Sequence, residues 1–153
     1  MALKVGDKAP AFAGVDQHGK EITLDDLKGK KTILYFYPKA DTPGCTAESC
    51  NLRDNYGDLL DKGFNIVGVS ADSVEKQKKF AEKYNLPFPL IADTGKEIIK
   101  AYEAWGEKNM YGKKSEGIIR TTYVIDENGR IEKVFEKVKT KDHAAQILEA
   151  MNE

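Results

Sequence analysis

The sequence predicts an α/β fold, a mixed β-sheet with helices packed on both faces. Three observations carry that expectation. Thr32–Tyr37 and Phe64–Ser70 are near-continuous apolar runs of strand length, the pattern of strands buried on both sides. A stretch of helical period follows each run. Near the end, Thr121–Ile125 and Ile131–Phe135 flank Glu127-Asn128-Gly129, a strong hairpin signal.

Each element has a local reason. Gly14 through Leu27 reads as a hairpin around Gln17-His18-Gly19-Lys20, with Ile22 and Leu24 alternating on the return strand. Pro38 stops the Thr32–Tyr37 strand. A helix is then expected with Thr42 as N-cap and Pro43 at its first position, a favoured pairing. It runs through Leu52, Tyr56, Leu59 and Leu60 to Gly63. After the Phe64–Ser70 strand, a helix over Ser73–Tyr84 buries Phe80, Ala81 and Tyr84 at helical spacing.

Asn85-Leu86-Pro87-Phe88-Pro89 forbids regular helix and leads into a short strand at Leu90–Asp93. A helix follows near Lys96–Ala101. Gly106–Gly117, charged and glycine-containing, is expected to be a surface loop. In the last helix, about Thr140 to Met151, Ala144, Ile147, Leu148 and Met151 fall at i, i+3, i+4 and i+7. The order resembles a thioredoxin-like arrangement with an added N-terminal hairpin.

With 153 residues, no repeat and no linker of biased composition, the chain is expected to form one domain, 1–153. A net charge of −1 leaves no basic footprint for nucleic acid. No stretch reaches the roughly 20 apolar residues of a membrane span, and the N-terminus lacks an apolar run of signal-peptide type. The expected compartment is therefore the cytoplasm. There a lone cysteine pair is more often catalytic or metal-binding than structural.

Cys45 and Cys50 are that pair. Cys45 falls where the buried strand gives way to a helix start, and a helix N-terminus presents unpaired N–H groups and the positive end of the macrodipole. Both favour the thiolate, the reactive form of cysteine. On one regular helix the two residues stand about 7.5 Å apart in rise and about 140° in rotation, or roughly 8.5–9 Å between Cα atoms. A disulfide needs about 7 Å or less. Either the first turns unwind during a redox cycle, or Cys50 is a buried helix residue, since free cysteine often packs as a small hydrophobe.

Thr42 and Arg120 are the candidate helpers. Thr42, as N-cap, would satisfy a helix N–H three residues before Cys45, a cap worth about 1 kcal/mol. Arg120 opens the Thr121 strand and could reach the neighbouring strand's end, where a guanidinium would favour the thiolate and donate to a bound oxygen. A zinc site is poorly supported, because the cysteine spacing is not Cys-x-x-Cys. His18 and His143 lie in distant segments. His18 reads as a turn residue and His143 as a solvated helix residue.

Tyr37-Pro38-Lys39-Ala40-Asp41-Thr42-Pro43-Gly44-Cys45-Thr46-Ala47-Glu48-Ser49-Cys50 closely resembles the active-site segment of the bacterioferritin comigratory protein, or PrxQ, branch of the peroxiredoxins. The pattern Pro-x-x-x-Thr-x-x-Cys falls on Pro38, Thr42 and Cys45. Likeness extends through Val5–Phe12, Val69–Asp72, Leu90–Asp93 and the arginine-bearing stretch Ile119–Asp126. Ala40 departs mildly from the polar residue common before this Asp, outside the motif.

The resemblance implies a thiol peroxidase acting on hydrogen peroxide and organic hydroperoxides, with no metal or organic cofactor. Cys45 would be the peroxidatic nucleophile and Cys50 the resolving cysteine. Thr42 and Arg120 would hold the peroxide oxygens, and Pro38 belongs to the same motif. The family likeness further implies thioredoxin as electron donor and a monomer. Two other classes stay open. A disulfide oxidoreductase of thioredoxin type would share the fold but use Cys-x-x-Cys at the helix start. A binding module would use the cysteines as packing and the 106–117 segment for contacts.

Overall fold

The computed structural model describes residues 3–110 and 112–151. Strands β1 (Ala13–Val15) and β2 (Glu21–Thr23) form the expected antiparallel hairpin. Its turn is held by Asp16, whose Oδ1 accepts from the amides of His18 (2.8 Å) and Lys20 (3.0 Å), and His18 is exposed. The return strand does not continue to Leu24. Thr23 instead caps the one-turn helix α1 (Leu24–Leu27), exchanging side-chain and backbone bonds with Asp26 in a capping box.

The chain then forms β3 (Lys31–Phe36), α2 (Pro43–Asp54), α3 (Tyr56–Asp61), β4 (Phe64–Ser70), α4 (Val74–Tyr84), β5 (Leu90–Ala92) and α5 (Glu97–Ala101). It continues through β6 (Trp105–Met110), β7 (Lys113–Ile118), β8 (Thr121–Ile125), β9 (Ile131–Phe135) and α6 (His143–Met151). Five strands make one sheet in the order β5-β4-β3-β8-β9. The β3–β4 and β4–β5 pairs are parallel, while β3–β8 and β8–β9 are antiparallel. The sheet is mixed, as the element order requires.

Because side chains alternate across a strand, β3 feeds two cores. Ile33 and Tyr35 pack with Leu52 of α2, Leu59 of α3, Phe80 of α4 and Ile147 of α6. Leu34 and Phe36 pack on the other face with Phe12, Ile22, Ile98, Ile99 and Tyr102. The strand is therefore buried on both sides, which is why it reads as an unbroken apolar run.

Three further expected elements differ. The helix expected to reach Gly63 breaks at Asn55, which takes φ −108°, ψ 10° and donates its side-chain amide to the Asn51 carbonyl at 2.8 Å. Such local side-chain bonding competes with the helical ladder. The expected 106–117 loop is largely the β6–β7 hairpin, pairing Trp105 with Ile118 and Glu107 with Glu116; position 111 lies outside the described residues. This ribbon forms a separate two-stranded sheet that reaches the core at Ile118 and Trp105, while Glu107 and residues 114–116 are exposed, so those positions carry no alternating pattern. Finally, α6 starts at His143 rather than Thr140, because Gln146 folds back to accept from Lys139 N and donate to Lys137 O. Among the described residues no helix is long and apolar enough to cross a membrane.

Candidate active site

The loop between β3 and α2 is fixed from one side by α4 and the turn before it. Pro38, half-buried, ends β3 just after Tyr37 N bonds Val69 O at 3.1 Å. Ala40 N donates to Asp72 Oδ2 at 2.7 Å. Asp41 adopts a left-handed φ of 61°, unusual for a residue with a Cβ. Its carboxylate takes bonds from Lys83 (2.9 Å) and Tyr84 (2.7 Å) at the end of α4.

Thr42 then sits at the N-cap with extended backbone and Pro43 follows at the first helical position, as expected. Its hydroxyl does not cap the helix. It turns back to donate to Lys39 O at 2.8 Å, so the first-turn N–H groups of α2 have no acceptor from that side chain. The expected Thr42 cap is corrected accordingly.

Cys45 is third in the helix and its residue is 0% exposed, within the cluster that holds Tyr35, Tyr37 and Phe80. Arg120, from the link between β7 and β8, reaches it: Nη2 donates to Cys45 Sγ at 3.2 Å. The other nitrogen, Nη1, donates to Glu48 Oε1 at 2.6 Å. Gly44 permits this approach, because a Cβ there would stand 3.2 Å from Nη2. The structure thus brings Cys45 and Arg120 together. Thr42 stands one turn before the sulfur, and Pro38 shapes the entry to the loop.

Two members of the site are not evident from motif spacing. Glu48 is fully buried, and burial lifts its carboxyl to about 7 although Arg120 opposes the shift. His143, expected to be solvated, is also fully buried, and burial lowers it to about 4. It shares the inward face of α6 with Ala144 and Ile147, and bonds Thr122 Oγ1 and Gln146 Oε1 at 2.9 Å each. Its Nε2 lies 3.5 Å from Glu48 Oε2. A sequence signal for Glu48 does exist. Cys45, Glu48, Ser49 and Leu52 form the buried i, i+3, i+4, i+7 stripe of α2, and an acid inside such a stripe needs a partner.

Cys50 is half-buried and lies off that stripe, and burial raises its thiol. Both cysteines are free and both belong to α2, which runs unbroken from Pro43 to Asp54. The helical separation of roughly 8.5–9 Å therefore applies, and the sulfurs cannot bond in this conformation. Among the described residues no group of three or more His, Cys, Asp or Glu could hold a metal ion.

The chain matches the AhpC/TSA family over residues 5–134. It is 44% identical over 153 residues to peroxiredoxin Bcp of Bacillus subtilis, covering 100% of this chain and 98% of that protein. It is 43% identical over 151 residues to peroxiredoxin Bcp of Escherichia coli, covering 99% and 97%. A solved cysteine-to-serine variant of Xylella fastidiosa PrxQ superposes with a TM-score of 0.92 at 29% identity, covering 99% of this chain and 97% of that one. The bacterioferritin comigratory protein of Xanthomonas campestris, solved in a study of its alkyl peroxide reduction, gives 0.86 at 34% identity over 92% and 90%. The chain belongs to the AhpC/TSA family. Within it, the chain is a peroxiredoxin of the Bcp/PrxQ branch with the thioredoxin fold.

Proposed function

We propose that Cys45 is the peroxide-attacking thiolate of this thiol peroxidase and that Cys50 is the thiol that resolves it. The observation that carries the reading is the 3.2 Å approach of Arg120 to a buried sulfur in the first turn of a helix. A guanidinium there supports negative charge on sulfur and presents donors to a bound oxygen. The Cys45 thiolate attacks one peroxide oxygen, the S–O bond forms and the O–O bond breaks. The departing oxygen takes a proton and leaves as water or an alcohol. Arg120 stabilises the charge that develops on that oxygen, and Thr42, one turn before the sulfur, joins it by turning its hydroxyl away from Lys39 O.

Cys45 is left as a sulfenic acid. Cys50 attacks its sulfur, water leaves and an intramolecular disulfide forms, which requires α2 to open. Thioredoxin then returns both thiols, with hydrogen peroxide and organic hydroperoxides as substrates. A disulfide oxidoreductase of thioredoxin type fits less well, because its two sulfurs must lie within bonding range without unwinding.

The test is peroxide-dependent turnover with a thioredoxin system. Native protein is expected to consume peroxide and oxidise thioredoxin, while Cys45→Ser keeps its fold and loses turnover. More than trace turnover in that variant would remove the assignment.

A further inference from the structure

We propose that Glu48 and His143 hold one proton between them, and that this proton decides whether Arg120 serves Glu48 or Cys45. The proposal rests on the peroxidase reading of Cys45, and it begins with a tautomer. Gln146 Nε2 donates to Lys137 O and its Oε1 accepts from Lys139 N, both at 2.9 Å, so the orientation of this amide is fixed. Oε1 is therefore the acceptor facing His143 Nδ1 at 2.9 Å, and Nδ1 carries the hydrogen. In the neutral ring Nε2 is then an acceptor.

That acceptor faces Glu48 Oε2 at 3.5 Å, and Oε2 has no hydrogen-bond partner although it is buried. Two acceptors facing each other in a dry site call for a proton on one of them. Thr122 Oγ1, 2.9 Å from Nε2, has a single hydroxyl hydrogen and can serve only one of the pair. The low basicity of His143 and the raised Glu48 carboxyl put the proton on Glu48.

The consequence reaches the sulfur through Arg120. The charged or titratable groups around Glu48 are Arg120 ahead of β8, His143 on α6, Cys45 on its own helix and Tyr35 on β3, whose phenol burial keeps neutral. One guanidinium thus stands between two candidate anions, with Nη1 on Glu48 and Nη2 on Cys45. A second buried anion would lack a cation of its own. Ionisation of Cys45 is therefore coupled to protonation of Glu48. While Glu48 keeps that proton Arg120 serves the thiolate, and loss of the proton creates a second anion that draws Arg120 to the carboxylate. Glu48 and His143 are positioning residues, acting on the reacting sulfur through Arg120.

Two measurements on the reduced full chain test this without using peroxide, so a failed peroxidase assignment would not be confused with a failed proton assignment. Nitrogen NMR of labelled histidine should show His143 neutral, with hydrogen on Nδ1, near pH 7. A doubly protonated ring, or hydrogen on Nε2 alone, overturns the proposal. Titration of thiolate absorbance should place the midpoint of Glu48→Gln lower than native by about half a pH unit or more, because the competing anion is gone. An unchanged or higher midpoint overturns the competition. A Glu48 with only a structural role would alter melting and leave that midpoint in place.

Discussion

In the mechanism proposed above a single guanidinium governs the reacting sulfur, and its position is set by neighbours of very different kinds. Arg120→Ala removes the donor nearest the sulfur and should slow the peroxide step about 10²–10³-fold, the usual cost of losing a transition-state donor. Lysine should restore only part of the rate, since a point charge lacks the planar fork. Stopped-flow reaction of reduced protein with peroxide measures both. Gly44 makes a subtler test. A methyl group there would stand 3.2 Å from Nη2 and push the guanidinium aside. Gly44→Ala should therefore lower the same rate about tenfold, less than the roughly hundredfold that a 1 Å misplacement can cost. Circular dichroism should remain unchanged. The cysteines, Thr42 and Arg120 stand out in the sequence because their chemistry is local or sits at an element's edge. Glu48 shows only as an acid within the buried stripe of α2 and His143 not at all, because their partners lie far along the chain and only packing brings them together.

At the scale of elements, the proposed mechanism requires α2 to serve two states. Its folded form is tied down along its length: Glu48 to Arg120, Ser49 to Tyr35 at 2.9 Å, Asn51 to Lys141 and Ala144, and Arg53 to Tyr84. The Glu48 and Ser49 bonds lie between the two cysteines and are the ones that joining Cys45 to Cys50 must break. The break at Asn55 gives the opening a natural end, leaving α3 packed through Leu59. Hydrogen exchange should show residues 42–53 losing protection in the disulfide form while 56–61 keep theirs. Equal protection in both forms, with the bond confirmed by mass, would refute helix opening. Cys50→Ser should react once with peroxide, accumulate sulfenic acid and pass to sulfinic acid more readily than native protein, which mass spectrometry reads directly. The strands and α4 were legible because burial writes a period into the sequence. The β6–β7 ribbon was not, since its exposed positions carry no such imprint.

For the molecule as a whole, the buried pair places a pH dependence inside the core between α2, α6 and the sheet. Glu48 is raised from 4.5 to about 7, so its contribution to stability is present below 4.5 and is lost as pH rises towards 7. His143 is lowered from 6.5 to about 4, so its contribution is present above 6.5 and is lost as pH falls towards 4. Between about 4.5 and 6.5 the two slopes oppose each other, and native stability should be nearly level there. Asp26 and Asp41, held low by their hydrogen bonds, lose their contributions only as pH falls below 3.8, outside this window. Removing either partner exposes the slope of the other. Urea midpoints of Glu48→Gln should climb as pH rises from 4 to 6.5, because only the histidine limb remains. Those of His143→Gln should fall as pH rises from 4.5 to 7, because only the carboxyl limb remains. Parallel profiles for native and both variants would mean that these buried groups ionise in the folded protein as they do in the unfolded chain, and the core would then have to hold their charges without the proton assigned to it.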